Sequence, residues 1–284
     1  MKQKMIAAET AGQNQSTDTI SERFKQNGRV IVHIPHSSTK IPAAFRSEFT
    51  VSDETVRHEL LCMTDWYTEE LFRCEGCQTV VHRYSRLICD PERFLDPEEE
   101  GMWEKGMGMY YTRTSDGIRL KRSPLSSAEG LSAYGRALQI YQQHHRRLAG
   151  AVQARLEACD SALLVDGHSF PSTALSYEFQ KNFQTRRPDI CLGTDAVFTP
   201  RALLEDAKAY FLRAGLEVAV NTPFAGTLVP EPFYSSRDRR VQSLMIEVNR
   251  RLYMDETNAA KKETFGAVKE LVQGFLKLAN EGFR

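Results

Sequence analysis

Short runs of β-branched and other apolar residues recur along this 284-residue chain, and longer amphipathic stretches separate them. Three such runs, at residues 29–34, 162–165 and 244–248, have the length and composition of strands buried on both faces. Between them, apolar residues repeat at helical spacing over residues 128–158 and 201–215. Strands that alternate with helices predict an α/β fold, with one mixed, mostly parallel sheet and helices on both faces.

The other predicted elements are shorter or less regular. Further strands are predicted at residues 78–81, 87–89, 190–192 and 216–220, and further helices at residues 52–72 and 256–278. Residues 96–125 show no clear period, which predicts a long excursion over one face of the sheet. Residues 1–28 are polar and predict a flexible lead-in, so we expect a single domain over residues 29–284.

Composition and charge exclude several classes of protein. The chain has 37 basic and 37 acidic residues, so no net charge favours nucleic acid or an anionic membrane as a partner. No segment approaches the roughly 18 consecutive apolar residues of a membrane span. Six cysteines are scattered along the chain, which is typical of reduced thiols in the cytoplasm. We therefore expect a cytoplasmic protein without nucleic acid or membrane partners.

Polar residues follow or interrupt several of the predicted strands. His36 comes two residues after the first strand, Asp166-Gly-His168 follows a later one, and Glu247 interrupts an apolar run. Ligands of open α/β sheets bind outside the carboxyl ends of the strands. A catalytic zinc ion needs about three protein ligands, commonly His nitrogens and carboxylate oxygens. This edge of the sheet is therefore a predicted metal site, and whether His33 or Asp166 also binds the metal stays open.

Six short motifs occur in a fixed order along the chain. They are His36-Ser-Ser, Thr64-Asp-Trp, Arg86 to Arg93, Asp166-Gly-His-Ser, Asn221-x-Pro-Phe-x-Gly and Glu247-Val-Asn-Arg. Together they resemble the N-formylglutamate amidohydrolase family over roughly residues 30–256. The resemblance implies a fold related to the zinc carboxypeptidases and one zinc ion per chain. It also implies hydrolysis of the amide bond of a small N-acyl amino acid.

The resemblance further implies roles for particular residues. The zinc ligands would be His36, Asp65 and His168, and Glu247 would be the general base. For Asp65, which falls in a predicted helix, the ordinary alternative is a solvated position. For Glu247 the alternative is a structural ion pair with Arg250 or another arginine.

The substrate side of the site is implied in the same way. Arg86 and Arg93 would act in catalysis by holding a substrate carboxylate through paired hydrogen bonds. Further substrate-binding residues would be Asp90, Ser169 and Asn221. A structural alternative is that both arginines only neutralise neighbouring acids.

The chain departs from the family pattern at Glu92, where the family usually has asparagine, and in the segment after the Asn-x-Pro-Phe motif. Because Glu92 adds negative charge beside the expected carboxylate anchor, we expect a neutral or basic substrate side chain rather than glutamate. Two alternative functions stay open. One is a zinc peptidase or amidase for a larger substrate, and the other is a degenerate protein that binds a small molecule without catalysis.

Overall fold

A computed structural model describes residues 29–122, 127–178 and 186–281 of the chain. The expected lead-in at residues 1–28 lies outside the described residues. The strands are β1 (Arg29–Ile34), β2 (Gln78–Val81), β3 (Ala162–Phe170), β4 (Ile190–Gly193), β5 (Val218–Val220) and β6 (Val241–Asn249). The helices are α1 (Ala43–Arg46), α2 (Asp53–Met63), α3 (Thr68–Phe72), α4 (Ala128–Cys159), α5 (Arg201–Arg213), α6 (Glu231–Ser236) and α7 (Phe265–Glu281).

The six strands form one sheet in the order β2-β1-β3-β6-β4-β5. Neighbouring strands from β2 to β6 are parallel, and β4 pairs antiparallel with β6 before β5 continues parallel to β4. The sheet is therefore mixed and mostly parallel, as the sequence predicts. The carboxyl ends of β1, β3 and β6 consequently meet at one edge of the sheet.

Helices cover both faces of this sheet, which confirms the predicted layering. Val30 and Val32 of β1 pack in the layer that contains α3, α5 and α7. Ile31, on the opposite face of the same strand, packs with Leu148 and Val152 of α4. Successive side chains of a strand point to opposite faces, so a strand with apolar residues at every position requires both layers.

The predicted helix over residues 52–72 is wrong in one respect, because the chain divides it into α2 and α3. Ser52 caps α2 as expected, since its hydroxyl accepts a hydrogen bond from the Thr55 N–H. The break falls at residues 64–67, where the Asp65 N–H donates to the His36 carbonyl at 2.9 Å. Tyr67 then adopts a left-handed backbone with φ of 65°. Asp65 therefore lies in this break and not on a helix face.

Two predicted strands also need correction. Residues 87–89 form a turn, in which the N–H groups of Ile88 and Cys89 both donate to the Ser85 carbonyl. Their side chains are buried between α2 and the first half of α4, away from the sheet. The strand predicted at residues 162–165 continues to Phe170, so Asp166 and His168 lie within β3 and not after it.

The remaining boundaries differ less from the predictions. Residues 96–122 form turns and isolated bridges without a helix or strand, in agreement with the predicted excursion. The last helix begins at Phe265 and not near residue 256, because the preceding turn is held by the Asp255 side chain, which accepts from the Thr257 N–H. Within the described part of the chain, no helix is both long and apolar enough to cross a membrane.

Candidate active site

A cavity of about 460 Å³ opens at the edge where the carboxyl ends of β1, β3 and β6 meet. In the parallel pair of β3 and β6, His168 stands directly beside Glu247. The side chains of most of the predicted site residues line this cavity, namely His36, Asp65, Arg86, Arg93, His168, Ser169 and Glu247. Glu92, Asp166 and Arg250 line it as well.

A glycine allows β3 to present two polar side chains on its cavity face. Asp166 and His168 are two residues apart and therefore point to the same side of the strand. Gly167 points to the other side, where a Cβ atom would lie 2.9 Å from Ile34 and 3.0 Å from Phe72. A larger residue at position 167 would therefore push the strand away from these two core side chains.

His168 is held through one ring nitrogen and has the other free. Its Nδ1 lies 3.1 Å from Oδ2 of Asp65, in hydrogen-bond geometry. Its Nε2 lies 3.1 Å from Oε2 of Glu92 and 3.2 Å from Oδ1 of Asp166. This buried Nε2 has no hydrogen-bond partner among the residues that the structure describes. A nitrogen in this position is available to a metal ion.

His36 repeats this arrangement with its ring nitrogens exchanged. Its Nε2 lies 2.9 Å from Oδ1 of Asp90, in hydrogen-bond geometry. Its Nδ1 lies 3.6 Å from Oδ2 of Asp65 and 3.9 Å from Oε2 of Glu92. Within the described ranges this buried Nδ1 also has no hydrogen-bond partner. Buried polar atoms without partners are rare in folded proteins, so both imidazoles suit a ligand from outside the chain.

Two groups of side chains in this cluster could hold a metal ion, and Glu92 belongs to both. The ligand atoms of His36, Glu92 and His168 lie within 4.8 Å of one another, as do those of His33, Glu92 and Asp166. His33 already has a partner at each nitrogen, because Nδ1 lies 2.9 Å from Asp166 and Nε2 lies 2.8 Å from His144. The first group, with its two free nitrogens, therefore fits a metal ion better than the second.

The two carboxylates that hold the histidines are themselves fixed by donors. Asp65 accepts from Nη2 of Arg250 at 3.1 Å and from the backbone N–H of Ser169 at 3.3 Å. Asp90 accepts from Arg86 at 2.8 Å and 3.0 Å and from the Tyr111 hydroxyl at 2.9 Å. Donors of this kind set the orientation of each carboxylate and, through it, of each imidazole ring.

The charges of this cluster shift the pKa values of its members. Burial alone would lower the pKa of both histidines, yet neighbouring carboxylates raise the pKa of His36 and raise that of His168 well above its ordinary value. Burial would likewise raise the pKa of Asp90, but Arg86 and Arg93 hold it well below the usual range. Without a bound cation, the buried carboxylates therefore attract protons to the two imidazoles.

Glu247 differs from the other acids of the cavity. Its side chain is buried, and Oε2 has no hydrogen-bond partner within the described chain. Burial, opposed in part by the charge of His168, raises the pKa of Glu247 to about 7. The alternative ion pair with Arg250 is not formed, because that guanidinium donates to Asp65, Ser169 and the Cys62 carbonyl. A carboxylate with a pKa near neutrality can both accept and return a proton.

The two predicted anchor arginines are largely engaged by the protein. Arg86 donates through Nε and Nη2 to Asp90, and Arg93 donates through Nε to the Met107 carbonyl and through Nη1 to the Glu92 carbonyl. Each therefore retains one terminal nitrogen, Nη1 of Arg86 and Nη2 of Arg93, without a hydrogen bond to a described residue. Both side chains line the cavity, so those two nitrogens can reach a bound anion.

Two of the predicted substrate-binding residues do not line the cavity. Asp90 is fully buried beneath it and holds His36 and Arg86. Asn221 is exposed, and its side chain exchanges hydrogen bonds with the backbone and hydroxyl of Thr194. Ser169 does line the cavity, where its hydroxyl accepts from Nε of Arg250.

The rest of the cavity wall is mostly apolar. Phe170 and Phe224 meet edge to face with ring centroids 5.8 Å apart. Further apolar and aromatic lining residues are Met63, Phe94, Met102, Leu175, Tyr177, Leu228 and Met245. A polar cluster at one end and an apolar wall at the other are typical of a site for a small amphipathic ligand.

Fold and site together define an α/β protein with buried His, Glu and Asp side chains that could hold a metal ion at the carboxyl edge of its sheet. The family model for N-formylglutamate amidohydrolase matches residues 28–254, and the chain belongs to this family. The family is one of hydrolases that act on the amide bond of an N-formyl amino acid. No curated protein matches the chain.

Two solved structures share the fold. An N-formylglutamate amidohydrolase from Ralstonia eutropha JMP134 is 20% identical, with a TM-score of 0.74, and the match covers 89% of this chain and 93% of that one. A gene product from Agrobacterium tumefaciens is 18% identical, with a TM-score of 0.57, and the match covers 91% and 92% of the two chains. These structures confirm the α/β architecture that the sequence predicts.

Proposed function

We propose that this chain is a zinc-dependent hydrolase that cleaves the amide bond of a small N-acyl amino acid. The observation that carries this proposal is the pair of buried imidazole nitrogens, His36 Nδ1 and His168 Nε2, which converge on the Glu92 carboxylate and have no hydrogen-bond partner among the described residues. Glu247, an acid that forms no ion pair within the described ranges of the chain, lines the same cavity. Family membership supplies the reaction class.

His36, His168 and Glu92 would hold the zinc ion in this proposal. Asp65 then orients His168, and Asp90 orients His36, in the usual arrangement in which a metal-binding histidine donates its other N–H to a carboxylate. Glu92 thus replaces Asp65 in the ligand set that the family resemblance implies. A zinc ion bound there would supply a Lewis acid that polarises an amide carbonyl and activates water.

Glu247 is the proton carrier of the proposed reaction. It would take a proton from the attacking water and return it to the nitrogen of the leaving amine. A pKa of about 7, which burial produces, lets it perform both transfers near neutral pH. Its position beside His168 in the β3–β6 pair keeps this carboxylate next to the proposed metal ligands.

The residues that line the cavity favour a substrate with one carboxylate and an apolar side chain. Nη1 of Arg86 and Nη2 of Arg93, which form no hydrogen bond with a described residue, could hold a single carboxylate, whereas every nitrogen of Arg250 already donates to a protein acceptor. The guanidinium at the wall around Phe170 and Phe224 is that of Arg187, which is already paired with Glu178, so a second carboxylate would find no unpaired cation there among the described residues. We therefore infer an N-formyl or related acyl derivative of an apolar or aromatic amino acid.

Formate release from a panel of N-formyl amino acids tests the proposal. N-formyl derivatives of phenylalanine, leucine and methionine should give kcat/KM values roughly tenfold or more above that of N-formylglutamate, because a buried unpaired carboxylate costs more than about 1.4 kcal/mol. Preference for N-formylglutamate would overturn the inferred side-chain class. Absence of formate from every member of the panel would count against the function itself.

A further inference from the structure

Glu92, the third zinc ligand of the proposed function, lies in a turn and not in a helix or strand. The chain beyond this turn is open to solvent, since Phe94 is 60% exposed and Leu95 is 39% exposed. A ligand in such a position is held ready for a metal ion only where its neighbours fix the backbone that carries it. The contacts of residues 90–93 therefore bear directly on the proposed zinc site.

Helix α4 holds this turn on both sides of Glu92. The Tyr141 hydroxyl donates to the Arg93 carbonyl at 3.0 Å. Nε2 of His145 lies 2.8 Å from the Pro91 carbonyl, and because a carbonyl can only accept, this nitrogen carries the hydrogen. The two hydrogen bonds thus fix the carbonyl of the residue before Glu92 and the carbonyl of the residue after it.

The two donors form one unit on the helix. Tyr141 and His145, the α4 pair, are four residues apart and therefore lie on the same face of α4. Their rings are in contact, with centroids 4.2 Å apart and planes inclined by 36°. Each ring limits the movement of the other, so the pair presents its two donors to the turn at a fixed spacing.

Local hydrogen bonds complete the fixation of the Glu92 backbone. Its N–H donates to Oδ1 of Asp90 at 3.0 Å, and its carbonyl accepts from Nη1 of Arg93 at 3.1 Å. The same Asp90 oxygen accepts from Nε2 of His36, so the turn and a proposed zinc ligand share one acceptor. The α4 pair adds what these bonds lack, which is a link from the turn to a long helix that packs on the sheet.

We propose, on the basis of the proposed function, that Tyr141 and His145 are positioning residues that hold Glu92 in place as a metal ligand. Oε2 of Glu92 lies 3.1 Å from Nε2 of His168 and 3.9 Å from Nδ1 of His36. Zinc–oxygen bonds are about 2.0–2.2 Å long, so a shift of the turn by about 1 Å would take this oxygen away from an ion bound to both rings. The α4 pair does not line the cavity and therefore acts only through Glu92.

The zinc affinity of the full-length protein, measured by competition with a chromophoric chelator, tests this inference. The double variant Tyr141→Phe, His145→Leu should raise the zinc dissociation constant roughly 10–100-fold, the range that loss of an outer partner causes. Tyr141→Phe alone, which removes one oxygen atom from a half-buried residue, should raise it by a smaller factor. Replacing His145→Leu by His145→Gln in the double variant returns an N–H donor and should recover part of the affinity.

A double-mutant cycle with Glu92→Ala separates positioning from a general loss of stability. Without the Glu92 carboxylate the α4 pair has no ligand to hold. Removal of the pair in the Glu92→Ala background should therefore change the zinc dissociation constant by about twofold or less, as for independent changes. A merely structural role predicts the same factor in both backgrounds.

Tyr210→Phe is the matched control, because the hydroxyl of half-buried Tyr210 donates to the Leu271 carbonyl at 2.9 Å on the other face of the sheet. This variant loses the same kind of hydrogen bond, yet its zinc affinity should equal that of the wild type. An unchanged dissociation constant in the double variant, an equal loss in the Glu92→Ala background, or an equal loss in Tyr210→Phe would overturn the role of the α4 pair and leave the proposed function intact. A wild-type protein that binds no zinc would overturn both.

Discussion

Each histidine of the candidate metal site has one nitrogen hydrogen-bonded to a carboxylate and one nitrogen without a partner in the described part of the chain. This arrangement decides which carboxylate can bind a metal ion together with a given ring. A carboxylate that accepts the N–H of an imidazole ring cannot also face the lone pair on the other nitrogen of that ring. Asp65 lies 3.6 Å from the free Nδ1 of His36 but accepts from Nδ1 of His168, the nitrogen that donates, whereas Glu92 faces the free nitrogens of both rings, at 3.1 Å from His168 and 3.9 Å from His36. The geometry therefore favours Glu92 as the third ligand and Asp65 as a positioning residue.

Zinc affinity distinguishes these two roles without any measurement of activity. Glu92→Gln removes a charged ligand, so we expect its zinc dissociation constant to rise by more than the roughly 10–100-fold that loss of an orienting partner causes. Asp65→Asn should fall within that smaller range. Competition with a chromophoric chelator gives both constants, and Glu98→Gln, an exposed change nearby, serves as the control. A larger loss in Asp65→Asn than in Glu92→Gln would restore Asp65 as the ligand.

Glu247 can be tested at the same scale. The Glu247→Gln side chain keeps the size of the acid but cannot accept a proton, so turnover should fall by roughly 10²–10⁴-fold. Zinc content and thermal stability should stay close to those of the wild type, because Oε2 has no partner to lose among the described residues. Hydrolysis at nearly the wild-type rate would mean that another group carries the proton.

The sequence predicts some of these residues better than others, for physical reasons. His36, His168 and Glu247 stand out because polar side chains interrupt or follow apolar strands. Glu92 lies in a turn, where a charged residue is ordinary, and so its place between the two histidines could not be foreseen. The position of Glu92 depends on how the segment between β2 and α4 folds back over the sheet. The local sequence pattern does not determine that path.

Among the elements, the break between α2 and α3 has the largest consequence for the site. The spacing of apolar residues over residues 52–72 predicts a continuous helix, because this spacing contains no information about tertiary contacts. In the structure, the His36 carbonyl accepts from the Asp65 N–H, and this bond replaces a helical one. The same contact brings the Asp65 side chain to His36 and His168, so the loss of helix and the formation of the site have one cause.

Glu59 provides a test of how α2 is anchored to the excursion that covers the site. Its carboxylate is buried and accepts from the backbone N–H and hydroxyl of Ser115 at 2.7 Å and 2.9 Å. Burial raises the pKa of Glu59 above its ordinary value of 4.5, opposed by these hydrogen bonds. The folded protein therefore binds this proton more tightly than the unfolded chain does. Its stabilising contribution is full below the unfolded pKa and is lost as pH rises through the folded pKa.

The variant Glu59→Gln cannot titrate, so its free energy of unfolding relative to the wild type should increase as the pH rises above the ordinary pKa of 4.5. Urea unfolding at several pH values from 4.5 upwards measures the difference. Glu54→Gln, an exposed change in the first turn of the same helix, should give no such trend. Parallel stability curves for wild type and Glu59→Gln would contradict the buried position of this acid.

At the scale of the whole molecule, the electrostatics of the site favour a single divalent cation. Five buried or nearly buried acids surround the cluster, namely Asp65, Asp90, Glu92, Asp166 and Glu247. Three guanidinium groups, those of Arg86, Arg93 and Arg250, oppose them. Buried negative charge is unfavourable in a region of low dielectric, so it draws protons onto His36 and His168, and a divalent cation held at their free nitrogens would take the place of those protons.

The overall architecture was the most predictable part of the molecule. When parallel strands alternate with helices, the carboxyl ends of the strands lie at the same edge of the sheet. That rule alone predicts that His36, His168 and Glu247 lie close together. Asn221 shows the limit of motif matching, because its side chain is exposed and holds Thr194 instead of lining the cavity. A motif identifies a position in the chain, but only packing decides where its side chain points.

If zinc held by His36 and His168 supports amide hydrolysis in this cavity, metal content and activity must rise and fall together. Zinc content and formate release from N-formylphenylalanine should be determined on the same samples of wild type and of the His36→Ala, His168→Ala double variant. The wild type should contain about one zinc ion per chain and release formate, lose both on chelation and regain both with added zinc, whereas the variant should show neither. Full zinc occupancy in the variant, or formate release that survives complete chelation, would contradict the proposed role of zinc.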